Sequence, residues 1–284
     1  MNIGEATNEL FESLKSIYTE SEASQITDLV IEHITGLTKS ERIQHKQSEL
    51  NNIQDSTFKI QLKELLNHKP VQYVLQEAWF YGIKFYVDEN VLIPRPETEE
   101  LVDWVVKNAL TITDRELSIL DIGTGSGCIP ITLKKKIPAA KITAIDVCSE
   151  ALYVAINNAA TYNAEIDFRL LDFLDLSKWN ELPQFDIIIS NPPYITSSEK
   201  EAMNKNVLEY EPHKALFIND DALLFYRNIA DFGKTHLTNS GNIYVEINET
   251  YGNESKNVFA NENYSKIELK KDMQGKDRMI KASY

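Results

Sequence analysis

The residues with the clearest chemical potential are the four that follow a buried-type strand, Asn191-Pro192-Pro193-Tyr194. Two consecutive prolines restrict the backbone and remove two N–H donors, which leaves carbonyl groups free to point into a pocket. The side-chain oxygen of Asn191 and the carbonyl of Pro192 could each accept one N–H of an NH2 group. The alternative is an ordinary turn after a strand. The sequence favours a rigid acceptor surface for a planar nitrogen.

A planar amine held in this way could accept a methyl group. Its nitrogen is a poor nucleophile, because the lone pair is delocalised into the π system. Two acceptors bonded to its N–H groups would pull it towards tetrahedral geometry, and in-line positioning can supply much of the acceleration. The same acceptors would stabilise the positive charge that develops, and Tyr194 would pack flat against the planar group. This chemistry requires no strong general base.

A glycine-rich turn, Asp121-Ile122-Gly123-Thr124-Gly125-Ser126-Gly127, holds three of the ten glycines of the chain. Glycines where a strand passes into a helix let the backbone approach a ligand closely. Dinucleotide binding would need glycine or alanine where Cys128 stands, or glycine where Pro130 stands. The G-x-G-x-G spacing instead resembles the S-adenosylmethionine loop of class I methyltransferases. This spacing predicts that the cofactor binds at Gly123, Thr124, Gly125, Ser126 and Gly127.

Two later strand ends carry further candidates for cofactor binding. Asp146 ends the next strand, where a carboxylate can accept hydrogen bonds from both ribose hydroxyls. It could also cap the following helix, and the two roles can coexist. In the class I enzymes the next edge flanks the adenine, so Phe173 is a candidate stacking face and Asp172 a candidate acceptor for the exocyclic amine. The alternative for Phe173 is a place in the core.

The elements that must position these residues begin at about residue 97, where apolar strands alternate with amphipathic helices as in a parallel α/β sheet. Strands are predicted at 118–122, 142–146, 168–171, 185–190 and 243–247, with a last pair near 267–269 and 278–280. Helices should fill the intervals, notably 149–161 and 220–237. The predicted fold class is α/β, a Rossmann-like class I methyltransferase sheet.

The first 70 residues differ, because their apolar residues repeat at helical spacing and no strand pattern interrupts them. Gly36 is predicted to end a helix, and Thr38-Lys39-Ser40-Glu41 to open the next one as a capping box. An aromatic, β-branched stretch at 79–87 predicts a hairpin. The predicted domains are a helical bundle at 1–75, a hairpin and linker at 76–96, and a catalytic domain at 97–284.

Composition narrows the choice of partners. The chain has 29 basic and 43 acidic residues, a net charge of −14, which argues against stable binding of duplex nucleic acid. Its N-terminus lacks the pattern of a signal peptide, and no stretch approaches the length of a membrane span, so a cytoplasmic location is expected. Cys128 and Cys148 form no C-x-x-C pair, and the five histidines lack ligand spacing, so no metal site is expected.

Taken together, the motifs of residues 70 to 280 resemble the HemK/PrmC family of protein-glutamine N5-methyltransferases, which modify the Gly-Gly-Gln motif of peptide chain release factors. The resemblance is carried by Pro70-Val71-Gln72-Tyr73, Leu92 to Glu99, the glycine-rich turn, Asn191 to Tyr194, Tyr210-Glu211-Pro212, Lys271-Asp272 and Gly275 to Arg278. It implies that Gly123 to Gly127, Asp146, Phe173 and Asn191 contact S-adenosylmethionine. It also implies that Asn191 to Tyr194 hold the glutamine, and that the N-terminal bundle and hairpin help to recognise a release factor.

The chain departs from the family pattern at two loops, which carry Asn219 and Asn248 and each lack a glycine that the family usually has. Two other acceptors fit the same tetrapeptide. One is a glutamine of a ribosomal protein, which the motifs do not exclude. The other is the N6 amine of adenine in DNA, against which the acidic charge and the lack of a target-recognition region argue.

Overall fold

A computed structural model describes residues 1–111, 115–196, 199–200, 203–218 and 221–284. The chain divides into two compact units. Unit 1 comprises Met1–Glu77 and Asn204–Tyr210, and unit 2 comprises Ala78–Met203 and Glu211–Tyr284. The predicted division at residues 75 and 96 stays a prediction.

Unit 1 is a bundle of helices, four of which begin at capping boxes. The side chains of Asn2, Thr19, Thr38 and Asn51 each accept the backbone N–H of the residue three positions ahead, whose Glu or Gln side chain bonds back. The predicted helix stop at Gly36, with φ +69°, is confirmed. The helices are α1 (Ile3–Leu14), α2 (Glu20–Thr35), α3 (Lys39–Gln44), α4 (Asn52–Leu66), α5 (Val71–Leu75) and α9 (Lys205–Tyr210).

The core of unit 1 contains the apolar residues that the helical spacing picks out, among them Leu10, Leu14 and Phe58, all fully buried. The short helices α5 and α9 were not predicted, because five or six residues are too few to show a period and neither has a capping box. The equally short α3 was predicted from its capping box. The Tyr210 hydroxyl donates to the Asn67 carbonyl at 2.7 Å and ties α9 to the end of α4. A segment far away in sequence therefore belongs to this unit.

Unit 2 is built on a sheet with seven strands in the described part of the chain, in the order β5-β4-β3-β6-β7-β9-β8. The strands are β3 (Ser118–Ile122), β4 (Lys141–Asp146), β5 (Asp167–Leu170), β6 (Phe185–Ser190), β7 (Leu237–Glu246), β8 (Lys266–Lys271) and β9 (Asp277–Ser283). The first five positions are parallel, and β9 runs antiparallel to β7 and β8. The strand order reverses between β3 and β6, where α/β sheets form their ligand sites.

Helices cover both faces of this sheet. They are α6 (Pro96–Ala109), α7 (Cys128–Lys136), α8 (Ser149–Thr161), α10 (His213–Leu216), α11 (Leu224–His236) and α12 (Gly252–Asn261). Every residue of β6 is buried, with Ile187 and Ile189 in one core and Phe185 and Ile188 in the other. A central parallel strand is apolar on both faces for this reason.

These observations confirm the predicted fold class and the presence of its strands. The strand β7 begins at Leu237, well before the predicted start at residue 243. The predicted helix at 149–161 is α8, and the one at 220–237 corresponds to α11, while residue 220 lies outside the described residues. The sequence did not predict that β9 lies between β7 and β8. None of the described helices is long and apolar enough to cross a membrane.

The predicted hairpin forms from β1 (Glu77–Phe80) and β2 (Ile83–Tyr86). Tyr81 and Gly82 have φ of +53° and +72°, which is the conformation of a two-residue hairpin turn. Asn158 of α8 connects the hairpin to the glycine-rich turn, because its side chain bonds both backbone groups of Tyr86 and donates to the Ser126 carbonyl, all at 2.9 Å. The hairpin is therefore fixed to the glycine-rich turn.

Candidate active site

The glycine-rich turn and the tetrapeptide lie side by side because β3 and β6 are neighbouring parallel strands. Ile122 and Ser190, the last residues of these strands, are paired in register. The Ser190 hydroxyl donates to the Ile122 carbonyl at 2.8 Å. Two segments about 70 residues apart in sequence thus leave the sheet at one edge.

A cavity of about 280 Å³ opens at this edge. Its walls include Gly123, Gly125, Asp146, Asn191 and Pro192. Residues 89–92 and 212–215 close it from other sides. The volume is close to the lower end of the range of roughly 300 to 1,000 Å³ found for small-molecule sites. Most of the sequence-predicted residues therefore line one pocket. The exceptions, which are not among its lining residues, are Thr124, Ser126, Gly127 and Tyr194.

The three positions of the turn require glycine for different structural reasons. All three have positive φ, +76° at Gly123, +53° at Gly125 and +79° at Gly127. A Cβ at Gly123 or Gly125 would meet no atom within 4 Å, so both positions leave open space beside the cavity. A Cβ at Gly127 would approach Ala155 and Ile131 at 3.1 Å. Gly127 thus serves the packing of α7, whereas Gly123 and Gly125 leave room for a ligand.

Several buried polar atoms beneath the turn make no hydrogen bond of ordinary geometry with the described residues, although the Thr124 hydroxyl lowers the pKa of Asp121 and the Ser126 hydroxyl lowers that of Cys128. They are both carboxylate oxygens of Asp121 and the hydroxyls of Thr124 and Ser126. Burial raises the pKa of Asp121 to about 7, and the like charge of Asp146 adds to the effect. Buried polar groups are normally satisfied. The negative charge of Asp121 lies beneath the glycine-rich turn rather than in the cavity wall, and it favours a cationic ligand above the turn. S-adenosylmethionine carries a sulfonium and an ammonium.

Asp121→Asn is expected to raise the free energy of unfolding by about 1–2 kcal/mol at pH 8, because it removes a buried charge. Since the pKa of Asp121 is raised in the folded state to about 7, the wild type gains stability as the pH falls below 7. The advantage of the variant should therefore shrink between pH 8 and pH 6. Denaturant unfolding at both values measures it, with the exposed Asp231→Asn as control. A variant less stable than the wild type at pH 8 would contradict this expectation.

Asp146 occupies the end of β4 and lines the cavity. Its two carboxylate oxygens accept the N–H groups of Gly125 and Cys148, both at 2.9 Å. Burial raises its pKa from the ordinary value. The residue thus fixes the glycine-rich turn and the loop that follows β4. It does not cap the following helix as the alternative predicted, because α8 begins after Cys148 without a side-chain cap. Each oxygen keeps a further lone pair, and the predicted ribose contact stays a prediction.

Asp172 and Phe173 both line the cavity, directly after β5. Asp172 is exposed, and its side chain accepts the N–H of Leu174 at 2.9 Å. The ring of Phe173 is buried and stacks on Trp179 with centroids 5.5 Å apart. Phe173 is thus a core residue that also borders the pocket. Its stacking on adenine stays a prediction.

The side chain of Asn191 is oriented by a buried hydrogen-bond chain. Its Nδ2 donates to Thr98 Oγ1 at 3.0 Å, and the Thr98 hydroxyl donates to Glu246 Oε2 at 2.6 Å. Asn191 Oδ1 and the Pro192 carbonyl accept no hydrogen bond from the described residues. Both oxygens that the sequence assigned as acceptors are therefore available at the cavity.

Tyr194 differs from the other three residues of the tetrapeptide, because it is not among the described residues that line the cavity. Its ring packs against the core, and its hydroxyl donates to Glu246 Oε1 at 3.2 Å. Burial, with the nearby Glu246 carboxylate, raises the pKa of Tyr194. Contact between this ring and a bound glutamine stays a prediction.

Three residues of the site were missed in the sequence: Thr98, Glu246 and Asn158. Glu246 ends β7 after a run of apolar residues, and an acidic residue in that place was the available signal. Asn158 interrupts the apolar face of α8 in the same way. Cys128, the first residue of α7, is buried in the core, and this burial raises the pKa of the thiol to about 12.

Comparison with protein families places the chain in a class. The Methyltransferase small domain matches residues 101–216, and the PrmC N-terminal domain matches residues 5–75. Fold, pocket and domain match define an S-adenosylmethionine-dependent methyltransferase.

Curated relatives identify the family. The release factor glutamine methyltransferase of Flavobacterium psychrophilum is 44% identical over 96% of both chains, and that of Bacteroides thetaiotaomicron is 38% identical over 96% of both. That of Streptococcus pneumoniae is 37% identical over 94% of both. The chain belongs to the family of release factor glutamine methyltransferases.

Solved structures share the fold. The hMettl16 catalytic domain in complex with the MAT2A 3′UTR hairpin 6 has a TM-score of 0.54 at 13% identity, over 83% of this chain and 84% of that one. The Thermus thermophilus 16S rRNA N2 G1207 methyltransferase RsmC, in complex with AdoMet and guanosine, has a TM-score of 0.51 at 15% identity, over 73% and 49%. At such identities the likeness concerns the fold alone.

Proposed function

We propose that the protein transfers the methyl group of S-adenosylmethionine to the side-chain amide nitrogen, N5, of the glutamine in the Gly-Gly-Gln motif of peptide chain release factors. The observation that carries the proposal is the orientation of Asn191, whose Oδ1 is available beside the Pro192 carbonyl at the cavity. The names of relatives up to 44% identical over 96% of the chain support the choice of protein.

Each part of the tetrapeptide has a role in this reaction. Asn191 Oδ1 and the Pro192 carbonyl accept the two N–H groups of the glutamine amide and direct its lone pair at the methyl carbon. The cofactor supplies an electrophilic methyl group on a sulfonium. The nitrogen forms the new N–C bond, the electron pair of the broken S–C bond stays on sulfur, and the nitrogen then loses a proton to water. The two acceptor oxygens stabilise the positive charge while it lasts.

Cofactor binding is assigned to the opposite wall of the cavity. Gly123 and Gly125 give the backbone room for close approach, and the carboxylate of Asp146 supplies negative charge for a cation. The buried carboxylate of Asp121 adds negative charge beneath the turn. Thr124, Ser126 and Gly127 complete the turn. Asp172 and Phe173 border the region assigned to adenine.

Mass spectrometry of a release factor after incubation with enzyme and cofactor tests the proposal. We expect a gain of one methyl group on the peptide that contains Gly-Gly-Gln, with fragment ions that place it on the glutamine side chain. Ribosomal proteins and DNA incubated in parallel should stay unmodified. Modification of a ribosomal protein or of adenine, with none of the release factor, would replace this function by one of the two alternatives.

A further inference from the structure

Three sequence motifs meet at one buried carboxylate, and the proposed function uses only one of them. Glu246, at the end of β7, is only 1% exposed. Its Oε2 accepts from Thr98 in the first turn of α6, which belongs to the Pro94 to Glu99 run, and its Oε1 accepts from Tyr194 of the tetrapeptide. Arg278 of β9 contributes an attractive charge. A single side chain therefore connects both ends of the tetrapeptide to the first turn of α6.

While Glu246 is ionised, Thr98 can accept a hydrogen bond from Asn191 but cannot donate one to it. A hydroxyl has a single hydrogen to donate. At 2.6 Å the bond to Glu246 is short, as expected when the acceptor is charged, so that hydrogen belongs to the carboxylate. Thr98 Oγ1 can then only accept from Asn191. If the Asn191 amide were flipped, its Oδ1 would replace Nδ2 at about 3.0 Å from Thr98 Oγ1, and two acceptor oxygens would face each other.

We propose that Thr98 and Glu246 are positioning residues that keep the amide of Asn191 turned with its oxygen towards the methyl-accepting nitrogen. Neither residue lines the cavity, so they act through Asn191. The inference rests on the proposed function for its kinetic consequence, but its structural content concerns the Asn191 amide alone. Loss of the Thr98 hydroxyl should leave the amide free to adopt both orientations, one of which presents NH2 to another NH2.

Protonation of Glu246 should have a similar effect, because a carboxylic acid can donate to Thr98 and release the hydroxyl hydrogen to a flipped Asn191. Burial raises the pKa of Glu246 to about 7. Thr98, Arg278 and Tyr194 lower it and Glu97 raises it, while the buried Tyr226 hydroxyl also faces it. Since the ionised form orients Asn191, kcat is expected to increase with pH through about 7.

The decisive variant is Thr98→Val, which keeps the shape of the side chain and removes the hydroxyl. We expect kcat towards the release factor to fall about 30- to 100-fold. Flipping of the amide alone costs about twofold, since one of two orientations is competent. The larger part is expected because the amide also moves from its place once its only described side-chain partner is lost, and misplacement of a reacting group can cost about 100-fold. KM and the affinity for S-adenosylmethionine should change little. Thr98→Ser should restore most of the rate. The matched control is Thr132→Val, because Thr132 is fully buried in α7 and its hydroxyl has no partner among the described residues.

Glu246→Gln supplies a second readout. The variant should lose the pH dependence of kcat near 7, because the amide does not titrate. It should also lower kcat at pH 8, since a glutamine can present either its oxygen or its nitrogen to Thr98. The pKa of Asp121 is also raised to about 7, so the profile of Asp121→Asn serves to identify any part of the inflection that Asp121 contributes. An inflection that is the same in Glu246→Gln as in the wild type would contradict the role of Glu246.

Nuclear magnetic resonance of the Asn191 side chain separates this inference from the proposed function. In protein labelled at asparagine, we expect the Asn191 NH2 signals, assigned with Asn191→Asp, to shift in Thr98→Val and to titrate near pH 7 in the wild type. Unchanged signals in Thr98→Val would overturn the inference even if the release factor is methylated. Shifted signals without methylation of the release factor would instead overturn the proposed function. The inference would also be overturned if Thr98→Val and Thr98→Ser lost the same amount of rate. It would equally be overturned if the affinity of Thr98→Val for the cofactor fell by the same factor as its kcat.

Discussion

Asn191→Ala is expected to lower kcat at least about 1,000-fold while the affinity for S-adenosylmethionine stays within a few-fold of the wild type. Loss of one preorganised electrostatic partner costs about 100- to 1,000-fold in other enzymes. Asn191 also orients the nucleophile, so the fall in kcat in Asn191→Ala should lie at the upper end of this range. Since the variant keeps the glycine-rich turn and Asp146, it should still bind the cofactor.

Two measurements test this expectation: single-turnover methylation of the release factor and titration calorimetry with the cofactor. The same substitution at the exposed Asn157 of α8 serves as control. Because Asn191 is only half-buried and makes one described side-chain hydrogen bond, the stability cost of its loss should be about 1 kcal/mol. Near-normal turnover of Asn191→Ala would exclude the acceptor mechanism.

Gly125→Ala is expected to weaken cofactor binding more than tenfold, equivalent to about 1.4 kcal/mol. The new methyl group meets no protein atom within 4 Å, because it enters the space beside the cavity. The residue has φ +53°, so the substitution also carries a backbone cost of about 1–2 kcal/mol. The affinity measured by calorimetry separates the two effects.

Gly275→Ala provides the matched control for this variant. Gly275 has φ +84°, a Cβ there would also meet nothing within 4 Å, and the residue lies in the turn before β9, outside the cavity. Both variants should lower the melting temperature by a similar amount. Only Gly125→Ala should lose cofactor affinity, and equal affinities in the two variants would show that the turn does not contact the cofactor.

The fold and the position of the site were accessible from sequence because both depend on local patterns. The strands β3 and β6 are apolar runs of ordinary length. Glycines, with a permissive backbone, follow β3, and prolines, with a restricted backbone, follow β6. Since the carboxyl ends of parallel strands share an edge, the glycine-rich turn and Asn191 could be placed together without coordinates.

The hydrogen-bond chain behind Asn191 was not accessible in this way. Thr98 and Glu246 are 148 positions apart in sequence, and their contact follows from the place of β7 beside β6 and from the packing of α6 on the sheet. The sequence presents Thr98 only as the fifth residue of Pro94-Arg95-Pro96-Glu97-Thr98. A long-range pairing of polar side chains has no periodic signature.

The loss of a family glycine at Asn248 has little structural effect for a reason that only the coordinates provide. Asn248 has φ −65°, so its backbone needs no glycine. Its side chain accepts the N–H of Thr250 and donates to Glu199, both at 2.9 Å. The asparagine therefore stabilises its own loop. The corresponding position at Asn219 lies outside the described residues.

The helical unit is discontinuous along the chain, and this limits how the protein can be cut. A fragment that ends at Glu77 would lack α9, together with the bond from Tyr210 to Asn67. A fragment that begins at Ala78 would contain unit 2 and would also carry residues 204–210, which would lack their packing partners in unit 1. Fragments for expression or domain exchange should therefore be paired with a grafted α9, because no single cleavage site yields two intact folding units.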